Sequence, residues 1–204
     1  NQLFIIAVFP LLLTFQVIEI KIQNSLFYYL VGISFGPAYL ALLENMKSFI
    51  ETHSFVGSKM FAINYKNNFK KGIIFQLTYG FIQYILFIDI LYFSSDKIIS
   101  LMFLILLLIV SLMKINALLI TTKYDIRFFD LIKASYVITI LHPIISLQNL
   151  VFYTLPYIII FYIPQLVAII SVSIFSFLIV KNSDKVFQTL TELDKENLTY
   201  ETNN

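Results

Sequence analysis

PIISLQNLVFYTLPYIIIFYIPQLVAIISVSIFSFLIV, residues 143–180, runs for 38 residues without a single charge. As a helix rising 1.5 Å per residue it would be about 57 Å long. One crossing of the hydrocarbon core needs only about 30 Å. The run therefore has to fold back on itself. Pro156 and Pro164 bracket the expected reversal, near Phe161 to Gln165. Two spanning helices are expected here, over residues 143–161 and 164–181.

Elsewhere in the chain four more apolar runs are long enough to cross: residues 3–20, 25–43, 72–93 and 98–121. The composition agrees, with 59% hydrophobic and 13% charged residues and a mean hydropathy of +0.84. A soluble domain carries about 25% charged residues. Outer-membrane strands would alternate apolar and polar positions, whereas these runs are continuously apolar. Their backbone groups must then be satisfied within helices. The expected fold class is all-α, a polytopic transmembrane bundle of about six helices over residues 1–181. Residues 182–204 read as a polar cytoplasmic tail, with Glu192, Asp194 and Glu196 solvated. No signal peptide is expected at the start, which lacks a basic leader and a small-residue cleavage site.

Two stretches read as interfacial amphipathic helices. In residues 55–71, Phe61, Tyr65 and Phe69 recur every four residues, with Lys59, Lys66 and Lys70 on a neighbouring stripe and Lys71 following. This is the candidate surface for a partner or for lipid. In residues 125–140, Ile126, Phe129, Ile132, Tyr136 and Ile140 share one face. Asp125, Arg127, Asp130 and Lys133 lie off it.

Charge sets an expected orientation. With six spans and an internal start, the inner segments hold 12 of the 14 basic residues and the outer turns only Lys21 and Lys97. Lys and Arg near the spans collect on the cytoplasmic side. Both ends are therefore expected in the cytoplasm, with the chain in the cell membrane.

Few residues invite a chemical role. Lys114 sits inside the fourth run, where an ionisable side chain is a functional candidate by default. Its stem is expected to snorkel to the near boundary. His142-Pro143 marks the start of the fifth span, because proline at the first helical position loses no bond. Gly36, Pro37 and Ala38 suggest a kink and a close helix approach; Pro164 is the matching packing position in the last pair. Gln16, Gln76, Gln83, Asn116, Gln148, Asn149 and Gln165 suit either interhelical hydrogen bonds or a polar path. The absence of cysteine removes thiolate sites, and two histidines are too few for a multi-histidine metal centre. There is no phosphate-cradling loop, zinc-binding helix motif or nucleophile elbow. No enzyme activity, cofactor, metal or nucleic-acid partner is expected. A meeting of Lys114, Asp130 and His142 in space would reopen a catalytic reading.

Three pieces resemble the YesL-like membrane proteins of Gram-positive bacteria. They are FGPAYLALLENMKSFIE (35–51), FAINYKNNFKKGIIF (61–75) and FFDLIKASYVITILHP (128–143), in the family's order and spacing. The middle piece is the most specific, with Tyr65 in place of the usual Phe. Ile163-Pro164 stands where the family has Gly-Pro. The resemblance implies a chromosomal neighbourhood beside carbohydrate ABC importers. The expected role is then a non-catalytic accessory subunit that packs against or regulates the permease subunits. The alternative is a small solute transporter or a substrate-capturing membrane subunit. The first span holds only Ala7 as a small residue, which disfavours the capturing type.

Overall fold

A computed structural model describes residues 25–54, 57–162, 171–184 and 186–187. In these the chain is all-α. Helices α1 (Ser25–Gly32), α2 (Phe35–Thr52), α3 (Ser58–Tyr92), α4 (Lys97–Lys123), α5 (Phe128–Leu141) and α6 (Pro143–Tyr162) follow in order. Residues 171–184 form a further helix, α7. Among the described residues, three helical stretches are long and apolar enough to cross a membrane, or four if the bent pair α5–α6 counts as one. The chain is thus a membrane-spanning helical bundle. The first expected span, residues 3–20, lies outside the described residues, and so does Pro164.

The second expected span divides into α1 and α2. A proline cannot donate to the residue four before it, and its ring crowds that carbonyl. For Pro37 that residue is Ile33, and the helix breaks at Ile33–Ser34. Pro37 then sits in the first turn of α2, where its missing N–H costs nothing. From Phe35 to Leu43 every residue of α2 is buried. A helix apolar on all sides belongs in the middle of a bundle, and α2 occupies that place. Its Tyr39 meets Tyr153 of α6, and its Phe49 meets Phe177 of α7.

Gly36 and Gly72 set the crossing of α2 and α3. A Cβ on Gly72 would lie 2.5 Å from Pro37 Cα, and one on Gly36 would strike the Gly72 carbonyl oxygen. Small residues let helix backbones meet in this way. The close approach expected at Gly36 is found, and its partner is Gly72.

Residues 55–71 do not form a helix of their own. From Ser58 they are the first part of α3, whose 35 residues span about 52 Å. Nothing between Lys71 and Gly72 breaks the helix, since neither residue removes a backbone bond. The other amphipathic stretch is a separate helix, α5, and the chain turns by 107° between α5 and α6. The turn falls at His142, with Pro143 opening α6 as expected. The polar tail begins later than residue 182, because α7 continues to Asp184 and Val186 and Phe187 are still buried.

Candidate functional site

Polar bonds between helices gather at two levels. The first lies within the bundle. Asn116 on α4 donates to Thr139 Oγ1 at 2.9 Å and to Ser146 Oγ at 2.8 Å, joining α4, α5 and α6. Tyr79 on α3 shares a 3.2 Å hydrogen bond with Ser135 on α5. Lys114 is only 5% exposed. Its Nζ donates to Gln83 Oε1 at 3.1 Å, and Gln83 in turn donates to Ser111 Oγ at 2.8 Å. Lys114 therefore does not snorkel. It lies nine residues, about 14 Å, along α4 from Lys123, and the Gln83 amide offers a nearer acceptor than the boundary.

The second level closes one end of the bundle with charges from five segments. Lys71 of α3 pairs with Asp125, in the α4–α5 connection, at 2.7 Å. Lys123 of α4 pairs with Asp184 of α7 at 2.6 Å and lies 4.1 Å from the centre of the Phe187 ring. Lys47 of α2 donates to the Thr122 carbonyl at 2.9 Å. Asn68 of α3 donates to Glu44 of α2 at 2.7 Å. Asp125 accepts a bond from Lys71 and feels its charge, and both hold its carboxyl below the ordinary value. The Lys71–Asp125 pair also stands at the rim of a pocket of about 160 Å³. Leu40, Phe75, Leu118 and Leu131 form part of its wall.

Among the described residues, α2 and α3 continue beyond this charged layer. From Lys71 back to Ser58, α3 extends about 20 Å. Together with the end of α2 it makes a helical arm. Asn64 donates to Asn45 at 2.9 Å and ties the two helices together. The arm's faces follow from the helical period of about 100° per residue. Phe61, 3% exposed, and Asn68 turn inward with Gly72. Lys59, Lys66 and Lys70 fall within about 40° of one another on the opposite side, and all three are exposed. Ile63, also exposed, lies between them. Residues 58–71 contain no acid. Of the expected aromatic face, Phe61 is in the core, Tyr65 is half-buried against it, and Phe69 is exposed. The Phe61–Tyr65 and Tyr65–Phe69 ring contacts run along the arm within α3, and the bonds to α2 come from Asn64 and Asn68. The lysine stripe is what remains for an encounter.

The possible catalytic trio is not joined. Asp130 pairs with Arg127 at 3.0 Å, Lys114 binds Gln83, and neither bonds His142. Among the described residues there is no group of three metal-ligating side chains. Sequence reasoning missed the Glu44–Asn68 and Asn45–Asn64 bonds. The signal was there in the polar positions 64 and 68, spaced four apart on the inward side of an otherwise aromatic face.

No curated protein and no solved structure matches the chain. Residues 2–90 match a family model described as a protein of unknown function, DUF624, the family also known as YesL-like, and that stretch takes in both sides of the Gly36–Gly72 crossing and the whole of the arm.

Proposed function

We propose that this protein is a non-catalytic accessory subunit of the cell membrane that docks a partner through the α2–α3 arm. The observation that carries the reading is the stripe of Lys59, Lys66 and Lys70. It stands on a stiff helix beyond the charged layer and faces away from the bundle. An exposed row of one charge sign attracts a partner of the opposite sign. Helices α3 and α4 also leave a broad apolar surface, including Phe81, Ile85, Leu104 and Ile105, for lipid or for a neighbouring membrane subunit. The YesL-like resemblance supports the permease subunits of a carbohydrate ABC importer as that neighbour. The charge distribution along the sequence supports a cytoplasmic arm and cytoplasmic chain ends. Lys97 begins α4 at the end away from the charged layer.

A pull-down in mild detergent tests this reading. The wild-type chain is expected to retain the permease pair. The Lys59→Glu, Lys66→Glu, Lys70→Glu triple variant is expected to lose it while remaining folded. A wild-type chain recovered alone, with sugar uptake unchanged after deletion, would refute the reading. The second reading, a small solute transporter or substrate-capturing subunit, has one observation in its favour, the pocket beside Lys71 and Asp125. It predicts uptake that depends on this chain in vesicles lacking any importer.

A further inference from the structure

The pocket beside Lys71 and Asp125 opens toward the membrane. Ile74 lines it and is itself exposed. Leu77, Phe81 and Ile85, also exposed, follow Ile74 at the i+3, i+7 and i+11 positions of α3, which share one face of a helix. The same helix fixes the depth of the pocket. From Lys71 to Tyr92 α3 rises about 32 Å, matching a hydrocarbon core of about 30 Å. Lys71 therefore stands where headgroups begin. From Lys71 to Phe81 the rise is about 15 Å, half of that core.

The Lys71–Asp125 pair has bonding capacity to spare. An ammonium carries three N–H donors, and an ionised carboxylate offers about four acceptor sites. Among the described residues, the 2.7 Å bond engages one N–H and Asp125 Oδ1. Both side chains face outward, Lys71 50% and Asp125 88% exposed. A cation and an anion held side by side match a ligand that carries an anion and a cation a few bonds apart. Lys71 can donate to its phosphate while Asp125 accepts from its ammonium, and the protein pair need not break. Behind the pair the wall is apolar, with Phe75, Leu118 and Leu131. A cavity of about 150 Å³ lined by such residues admits a benzene-sized group. This one, of about 160 Å³, takes about six carbons of a chain. The remainder has the exposed row from Ile74 to Ile85 to lie along.

We infer that this pocket is a site for one membrane lipid with a phosphoethanolamine headgroup. The phosphate lies at Lys71 and the ammonium at Asp125. The start of one acyl chain fills the pocket, and the rest runs along Ile74, Leu77 and Phe81. Pockets with basic residues between membrane helices hold lipid headgroups in this way, and here the added carboxylate selects among them. A phosphocholine head has the same charges, but its trimethylated nitrogen has no N–H to give Asp125. An anionic head brings a negative charge toward the Asp125 carboxylate with no ammonium to offset it. The site does not depend on the docking reading of the arm, and it fills the pocket that a transport reading would need.

Native mass spectrometry of the full chain reads the site. The chain is released from micelles holding equal amounts of phosphatidylethanolamine, phosphatidylcholine and phosphatidylglycerol with identical acyl chains. The expected result is one phosphatidylethanolamine per chain, retained several-fold over the other two. In the Lys71→Gln, Asp125→Asn double variant that preference should fall to parity. An exposed ion pair contributes little to stability, so the variant should melt close to the wild-type temperature. Ile126→Trp is the second variant. Ile126 lines the pocket and is partly exposed, so a larger ring there should block entry, leave both charges in place and abolish the retained lipid. Soluble phosphoethanolamine, added in excess, should not displace the lipid. Equal retention of the three lipids by the wild type would overturn the headgroup assignment, as would an undiminished preference in the double variant. Unchanged retention in Ile126→Trp would overturn the pocket as the site. Displacement by soluble phosphoethanolamine would overturn the lipid and give the pocket to a free solute.

Discussion

Gly72 on α3 sits against Pro37 on α2 so closely that a single added carbon would lie 2.5 Å from the Pro37 Cα. The contact is backbone on backbone, so neither side can turn away. The arm begins directly beyond this crossing, and its direction is fixed by it.

Gly72→Ala should therefore separate the two helices. Overpacking of this kind costs about 1–3 kcal/mol. The loss should appear as a lower melting temperature in detergent, together with weaker arm function. Gly32→Ala is the control. Nothing lies within 4 Å of its added carbon, and alanine is the better helix former, so stability should hold or rise slightly. Equal effects at the two glycines would remove the crossing from the account.

Asn116 links three helices with one side-chain amide. Hydrogen bonds between membrane helices average about 0.6 kcal/mol, with a maximum of about 1.7. Asn116→Leu should cost about 1–2 kcal/mol, read by unfolding in mixed micelles. Removing Thr139 as well should add little, because its cross-helix donor is already gone and its remaining bond, to the Ser135 carbonyl, lies within α5. Fully additive losses would mean the bonds are not coupled.

Lys114→Met asks what a buried ammonium does with one neutral partner. A lysine at the centre of a spanning helix costs about 2.5–3.5 kcal/mol on insertion scales, and the Gln83 amide offsets only part of that. The variant should be at least as stable as wild type in detergent. If it also loses activity in cells, Lys114 is retained for function. A markedly destabilised variant would make Lys114 a structural strut instead.

The Lys71–Asp125 clamp has a predictable response to pH. The lysine bond and charge lower the Asp125 pKa below its ordinary 3.8. A carboxylate with a depressed native pKa contributes above its unfolded pKa and loses that contribution as pH falls through the native value. The clamp should thus hold unchanged from neutral pH down to about pH 4 and release only below it. An NMR titration of the Asp125 carboxyl should give a midpoint under 3.8 in the wild type, returning upward in Lys71→Gln. A midpoint unmoved by that substitution would show the pair is not formed.

The sequence carried the bundle and concealed the arm. Apolar run length pointed to the stretches at α1–α2, α3 and α4 that are long and apolar enough to cross, because no soluble alternative could hide so much apolar surface. Pro143 was legible as a helix start because a single backbone rule governs it. The boundary drawn at Gly72 failed for a physical reason. A change from charged to apolar residues marks where the solvent changes, and a helix needs no break there. The interior place of Phe61 was equally hidden, since an aromatic stripe reads the same against lipid as against a neighbouring helix. Lys114 looked like a snorkelling side chain because its acceptor, Gln83, is 31 residues away.

The most direct test of the account places a photoreactive amino acid at position 63, between the three lysines, in living cells. Cross-linking there should yield an adduct with a membrane permease subunit, and the adduct should disappear when Lys59, Lys66 and Lys70 are reversed to glutamate. Adducts with lipid alone, identical in wild type and triple variant, would contradict the claim that the arm is a docking element.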